Sequence, residues 1–134
     1  MRFIGFPHEI SYPSAVHNVW VNLRFPQART PTVIKALLDT GSGITVLNRK
    51  HAKHLRVPDI TSSSEVIELV LADGGRAQGY IHKMPVEFLG RQLSIDVAFV
   101  PAMDTADLIG MRGFFDQMTV AFDHAQRKAY VAFN

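Results

Sequence analysis

Cysteine is absent from the 134-residue sequence, which excludes a disulfide framework, a thiolate metal site and a cysteine nucleophile. No apolar run approaches the ~20 residues of a membrane-spanning helix. The opening stretch, Met1 to Glu9, is too short and too soon interrupted for a secretory core. No membrane contact is expected, and a cytoplasmic location in a reducing compartment is the matching expectation. Charge of one sign is also scarce, with a net of +2. Six histidines are scattered, and the closest-spaced pair with metal-like spacing, His51 and His54, has no carboxylate or third ligand nearby, so neither a metal nor another cofactor is expected.

What the chain has in quantity is short strand patterns. Val19, Val21, Leu23 and Phe25 alternate with Asn18, Trp20, Asn22 and Arg24, the period of a strand with one polar face, on which Trp20 should cover something. Further strands are expected over residues 65–71, 76–82, 84–89, 93–100, 119–123 and 129–133, separated by Gly-, Asp- and Pro-containing turns. Short strands at this spacing predict an all-β chain, a closed barrel or sandwich. Residues 1–15, with Pro7 and Pro13, read as a loosely packed N-terminal arm, and residues 16–134 as one domain.

The positive charge is local. Arg49, Lys50, Lys53 and Arg56 fall in one stretch with Ala52 and Leu55 on the opposite side, the pattern of a short amphipathic helix with a solvated basic face. The alternative, contact with nucleic acid through these four cations, lacks interleaved aromatics for base stacking.

The chemistry-bearing segment is Ala36-Leu37-Leu38-Asp39-Thr40-Gly41-Ser42-Gly43-Ile44-Thr45-Val46-Leu47. An apolar strand delivers a carboxylate into a Gly/Ser turn and then resumes as a strand, which places Asp39 at a cleft wall where small neighbours let a substrate come close. Gly41-Ser42-Gly43 is not a dinucleotide loop, because Val46 stands at the last Gly position and a strand follows instead of a helix. Gly74-Gly75 lacks the Lys-Ser/Thr of a phosphate loop. Ser42 is not in Gly-x-Ser-x-Gly and no particular histidine is tied to it.

Asp39, Thr40, Gly41 and Ser42 resemble, in order, the active-site motif of retropepsin-like aspartic proteases. Leu108-Ile109-Gly110 resembles the hydrophobic-hydrophobic-Gly signature that follows that family's last core strand, with residues 111–116 in the place of its short helix. The run through Ala72, Asp73, Gly74, Gly75 and Arg76 reads as the turn of a hairpin and falls where the family carries its substrate-covering flap. The resemblance spans roughly residues 16–133. It implies an all-β, closed acid-protease barrel with one or two short helices.

The resemblance also implies roles. Asp39 would be the catalytic carboxylate, Thr40 would lock two motif loops across an interface, Gly41 would leave room for substrate, and Ser42 would hydrogen-bond the carboxylate's outer oxygen. A second Asp-Thr-Gly is absent, and Asp104-Thr105-Ala106 lacks the Gly, so its expected role is a solvated turn. Two carboxylates sharing one proton would therefore come from two copies of the chain, giving a homodimer that hydrolyses extended polypeptides. Retroviral members carry an acidic residue soon after the motif, where Ile44 and Thr45 stand here, so cellular and bacterial members are the closer comparison. The alternative is a catalytically silent dimerisation or peptide-binding module of the same fold.

Overall fold

Val21, Leu23 and Phe25 point inward from a strand whose other residues face solvent, as the period-2 pattern requires. This is β2 (Trp20–Phe25) of the computed structural model, which describes residues 5–13, 18–71 and 73–134. The chain runs through β1 (His8–Ser11), β2, β3 (Thr32–Leu38), β4 (Thr45–Leu47), β5 (Val66–Val70), β6 (Arg76–Phe88), β7 (Arg91–Phe99), β8 (Leu108–Ile109), β9 (Met118–Asp123) and β10 (Lys128–Phe133). The all-β class is as expected.

Seven strands form one sheet in the order β2-β3-β8-β4-β7-β6-β5, and β6 also meets β2 at Arg24 and Glu87, whose side chains form an ion pair. The sheet therefore curls until its first strand touches β6. The remaining strands form a second sheet, β1-β10-β9. Inside the curl lie Leu23, Phe25, Val86, Ile95, Val97, Phe99, Ile109, Phe114 and Val131, all buried in one cluster. Each such side chain contributes about 1.5–3 kcal/mol relative to exposure. A smaller cluster of Ile44, Val46, Ile81 and Ala98, with Ile67 and Leu69 packed on it, ties the start of β4 to the β5–β6 hairpin.

Several local expectations change in three dimensions. Residues 76–88 form one long strand where two, 76–82 and 84–89, were expected, because β7 pairs with β6 continuously from Tyr80 to Phe88. Pro85 interrupts nothing: the carbonyl of Ser94, opposite it, accepts from Gln117 Nε2 at 2.9 Å. Among the described residues there is no α-helix, only 3₁₀ turns at Arg49–His51, Phe115–Gln117 and His124–Gln126. The helix expected over residues 111–116 is replaced because Gly113 adopts φ +82° against Asp96, outside helical geometry. The basic stretch makes one 3₁₀ turn and then ends at Arg56, with φ 64°, although Ala52 and Leu55 are buried as the pattern predicted.

The N-terminal arm is not loose where it is described. β1 pairs with β10 from His8 opposite Val131 to Ser11 opposite Lys128, and Tyr12 is buried with its hydroxyl 2.9 Å from His124 Nδ1. Trp20, expected to cover something, is 41% exposed on the outer side of β2.

Candidate active site

β3 delivers Asp39 by pairing in parallel with β8, Leu37 beside Leu108 and Leu38 beside Ile109. The ladder continues into the loop, where Asp39 N–H donates to Ile109 O at 2.9 Å. The backbone of the carboxylate-bearing residue is thus fixed by the downstream hydrophobic-hydrophobic-Gly segment. Gly41 N–H donates to Asp39 Oδ1 at 3.0 Å, and Ser42 N–H to Asp39 O at 3.0 Å, closing a tight turn. A Cβ at Gly41 would lie 3.2 Å from Asp39 Oδ1, so a larger residue would crowd the carboxylate. Asp39 is half-buried and Thr40 exposed.

One expected contact is different. The Ser42 hydroxyl donates to Ile44 O at 2.6 Å and so spends its single proton on the loop backbone, not on the Asp39 carboxylate. The donor that Asp39 does receive is the Gly41 amide.

Leu108, Ile109 and Gly110 lie between β3 and β4, Leu108 also pairing antiparallel with Val46. Gly110 N–H donates to the fully buried Thr45 Oγ1 at 3.1 Å, Met111 N–H to Ser42 O and Arg112 N–H to Gly43 O, both at 2.9 Å. The two sequence motifs therefore form one hydrogen-bonded unit.

Opposite them stands the β5–β6 hairpin. Its turn is closed by Leu71 N–H to Gly75 O at 2.7 Å, Gly74 N–H to Leu71 O at 2.9 Å and Gly75 N–H to Asp73 Oδ1 at 2.8 Å, with Gly74 at φ +84°. Arg76 pairs with Glu68 at 3.1 Å across the strands. Ala72, also expected in this turn, lies outside the described residues. Between hairpin and motif loop is a cleft of about 420 Å³, floored by Ser42, Val46 and Leu108 and walled by residues 69–71, Asp73 and residues 103–106. Asp39 is not among its lining residues.

The wall at residues 103–106 is held by side chains that the sequence alone left as solvent-facing or did not single out. Asn48 N–H donates to Asp107 Oδ1 at 2.8 Å and Asn48 Nδ2 to Thr105 O at 2.7 Å, while His51 Nε2 lies 3.1 Å from Asp107 Oδ2. Arg49 reaches Asp104 at 3.1 Å and Pro101 O at 2.7 Å. Asn48 and Asp107 carried no motif in the sequence; only the polar character of Asn48 between the buried Leu47 and a basic run hinted at a cap. Arg56 Nε donates to Gln27 O at 2.8 Å. Among the described residues no three His, Asp or Glu side chains gather in a metal-binding cluster.

Arg112 forms a bidentate pair with Glu65, both bonds 2.7 Å, and its Nε lies 3.5 Å from Asp96 Oδ2. The guanidinium holds the Glu65 carboxyl below the usual range, and Glu65, with Asp96, raises that of Arg112.

No protein-family model and no curated protein sequence matches the chain. Among solved structures it is similar to a retropepsin-like aspartic protease from Rickettsia conorii, with a TM-score of 0.68 at 16% identity over 94% of this chain and 89% of that one. It is also similar to the retroviral protease-like domain of Ddi1 from Leishmania major, with a TM-score of 0.58 at 19% identity over 89% of this chain and 95% of that one. At such identities the likeness concerns the backbone, and on that ground the chain has the retropepsin-like fold.

Proposed function

We propose that the protein is an aspartic endopeptidase that works as a homodimer, with Asp39 of each copy forming the catalytic pair. The observation that carries this reading is the placement of Asp39, held by Ile109 O and Gly41 N–H at the mouth of the β3–β8–β4 unit in a retropepsin-like fold. One carboxylate per chain is half of the chemistry. Two carboxylates ~3 Å apart cannot both ionise, so the pair holds one proton; one member takes a proton from water while the other donates to the scissile carbonyl. No hydrogen bond of the Thr40 hydroxyl occurs among the described residues, which leaves this exposed group available to a second copy. The hairpin supplies strand-like hydrogen bonds to an extended peptide, and the largely apolar walls of the 420 Å³ cleft accept an apolar side chain.

A second reading, a peptide-binding module without catalysis, draws on the absence of Asp39 from the cleft lining. Incubation with a peptide library at acidic to near-neutral pH separates the two. Cleavage by the wild type, lost in Asp39→Asn and falling in specific activity on dilution, is the expected result. Peptide capture without cleavage by the wild type would establish the binding module, and full activity in Asp39→Asn or in a demonstrably monomeric sample would overturn the paired-carboxylate mechanism.

A further inference from the structure

The direction of Arg112 is fixed before its side chain begins. On one side Gly110 lies against Ile44, where a Cβ would come within 2.3 Å of the carbonyl carbon and oxygen. On the other, Gly113 turns with φ +82° so close to Asp96 that a Cβ would lie 2.7 Å from its backbone nitrogen. Between these points Arg112 N–H donates to Gly43 O at 2.9 Å, and Arg112 makes an isolated parallel bridge with Ile44. Its backbone therefore belongs to the wall of the Asp39 loop. Its guanidinium belongs elsewhere: it forks onto Glu65. Glu65 immediately precedes β5, and its carbonyl accepts from Ile81 N–H at 3.0 Å. Glu65 is thus the foot of the hairpin.

We infer that Arg112 is a positioning residue that registers the β5–β6 hairpin on the Asp39 loop, setting the height at which the hairpin meets a bound peptide. The inference rests on the peptidase reading for its consequence in catalysis, and on geometry alone for the coupling. A bidentate guanidinium–carboxylate pair fixes orientation as well as distance, which an ammonium cannot reproduce. Both side chains are near half exposed, 41% and 45%, so the pair adds little to global stability. Its effect is local, joining two segments between which a substrate is held. Loss of Arg112 does not strand Asp96, which keeps Lys83 at 3.2 Å.

The test compares wild type, Arg112→Lys and Glu65→Gln by amide hydrogen exchange and by steady-state kinetics on one cleaved peptide, with Glu9→Gln as a control that breaks the remote Glu9–Lys128 pair. Exchange across the hairpin is expected to quicken roughly fivefold in both Arg112→Lys and Glu65→Gln, with β9 and β10 unchanged. KM is expected to rise by a similar factor with kcat within about twofold, and Glu9→Gln to alter neither. Unchanged hairpin exchange in both variants, a loss of protection shared equally by β9 and β10, or a fall in kcat at constant KM would each overturn the inference. Faster hairpin exchange in a wild-type background that cleaves no peptide would support the positioning role and remove the peptidase reading instead.

Discussion

Gly110 passes so close to Ile44 that any Cβ at position 110 would lie 2.3 Å from the Ile44 carbonyl carbon and oxygen. No rotamer change relieves such a contact, because its partner is backbone. The close approach lets Gly110 N–H reach the buried Thr45 Oγ1 and lets β8 insert between β3 and β4. Gly110→Ala is expected to destabilise the fold by about 3 kcal/mol or more, whereas Gly43→Ala, with open space around the added carbon, should stay within about 0.5 kcal/mol. Urea denaturation of the two variants beside wild type measures the difference, and equal midpoints for both would contradict the close packing.

The Ser42 hydroxyl supports the loop and not the carboxylate. Ser42→Ala leaves the carbonyl of buried Ile44 short of a donor and is expected to reduce stability by about 1–3 kcal/mol. In a pH–rate profile the alkaline limb should stay where it is in wild type. A limb displaced to higher pH would show that the hydroxyl serves Asp39 in the working dimer.

Glu65 titrates below its ordinary value of 4.5 in the folded chain because Arg112 hydrogen-bonds its charged form. A carboxyl with a depressed folded pKa binds fewer protons folded than unfolded over the interval between the two values. Its stabilisation is therefore complete above about pH 4.5 and disappears as pH falls through the lower, folded value. Because the pair is exposed, the excess of the wild-type urea midpoint over that of Glu65→Gln at pH 7 should be small, and the gap should close progressively at pH 4 and pH 3. A gap that widens on acidification would reverse the assigned sign.

Deleting residues 1–12 removes β1 and the buried Tyr12 and uncovers the edge of β10. Loss of Tyr12 burial alone amounts to about 2 kcal/mol, and the bared edge invites pairing with other chains. Lower urea midpoints together with increased light scattering are expected. Unchanged values would mean that β1 contributes no net stabilisation.

Much of this architecture was written locally. The alternation around Leu23 and Phe25 gave a one-sided strand, the Asp73 to Arg76 run gave a hairpin turn, and Asp39-Thr40-Gly41-Ser42 and Leu108-Ile109-Gly110 stood out as two short motifs in the right order. These are short-range signals, set by side-chain period and by the conformational needs of Gly and Asp within a few residues. Where a local signal depended on distant backbone it misled: Gly113 turns against Asp96 where a short helix was expected over residues 111–116, and the arm at residues 8–11 found a partner in β10.

By itself, then, the sequence determined the strand-rich class, the turn at Asp39 and the residue types of the candidate site. Only the tertiary structure decided that Asp39 N–H would bond Ile109 O, that Ser42 would turn to Ile44, that Asn48 and Asp107 would brace the cleft wall, and that Arg112 would grip Glu65. Ser42 chooses between two acceptors within its own loop; each of the others is a contact between segments far apart along the chain that the curl of the sheet brings together. A hydrogen-bonding side chain carries no sequence mark of which distant partner that curl will bring within 3 Å.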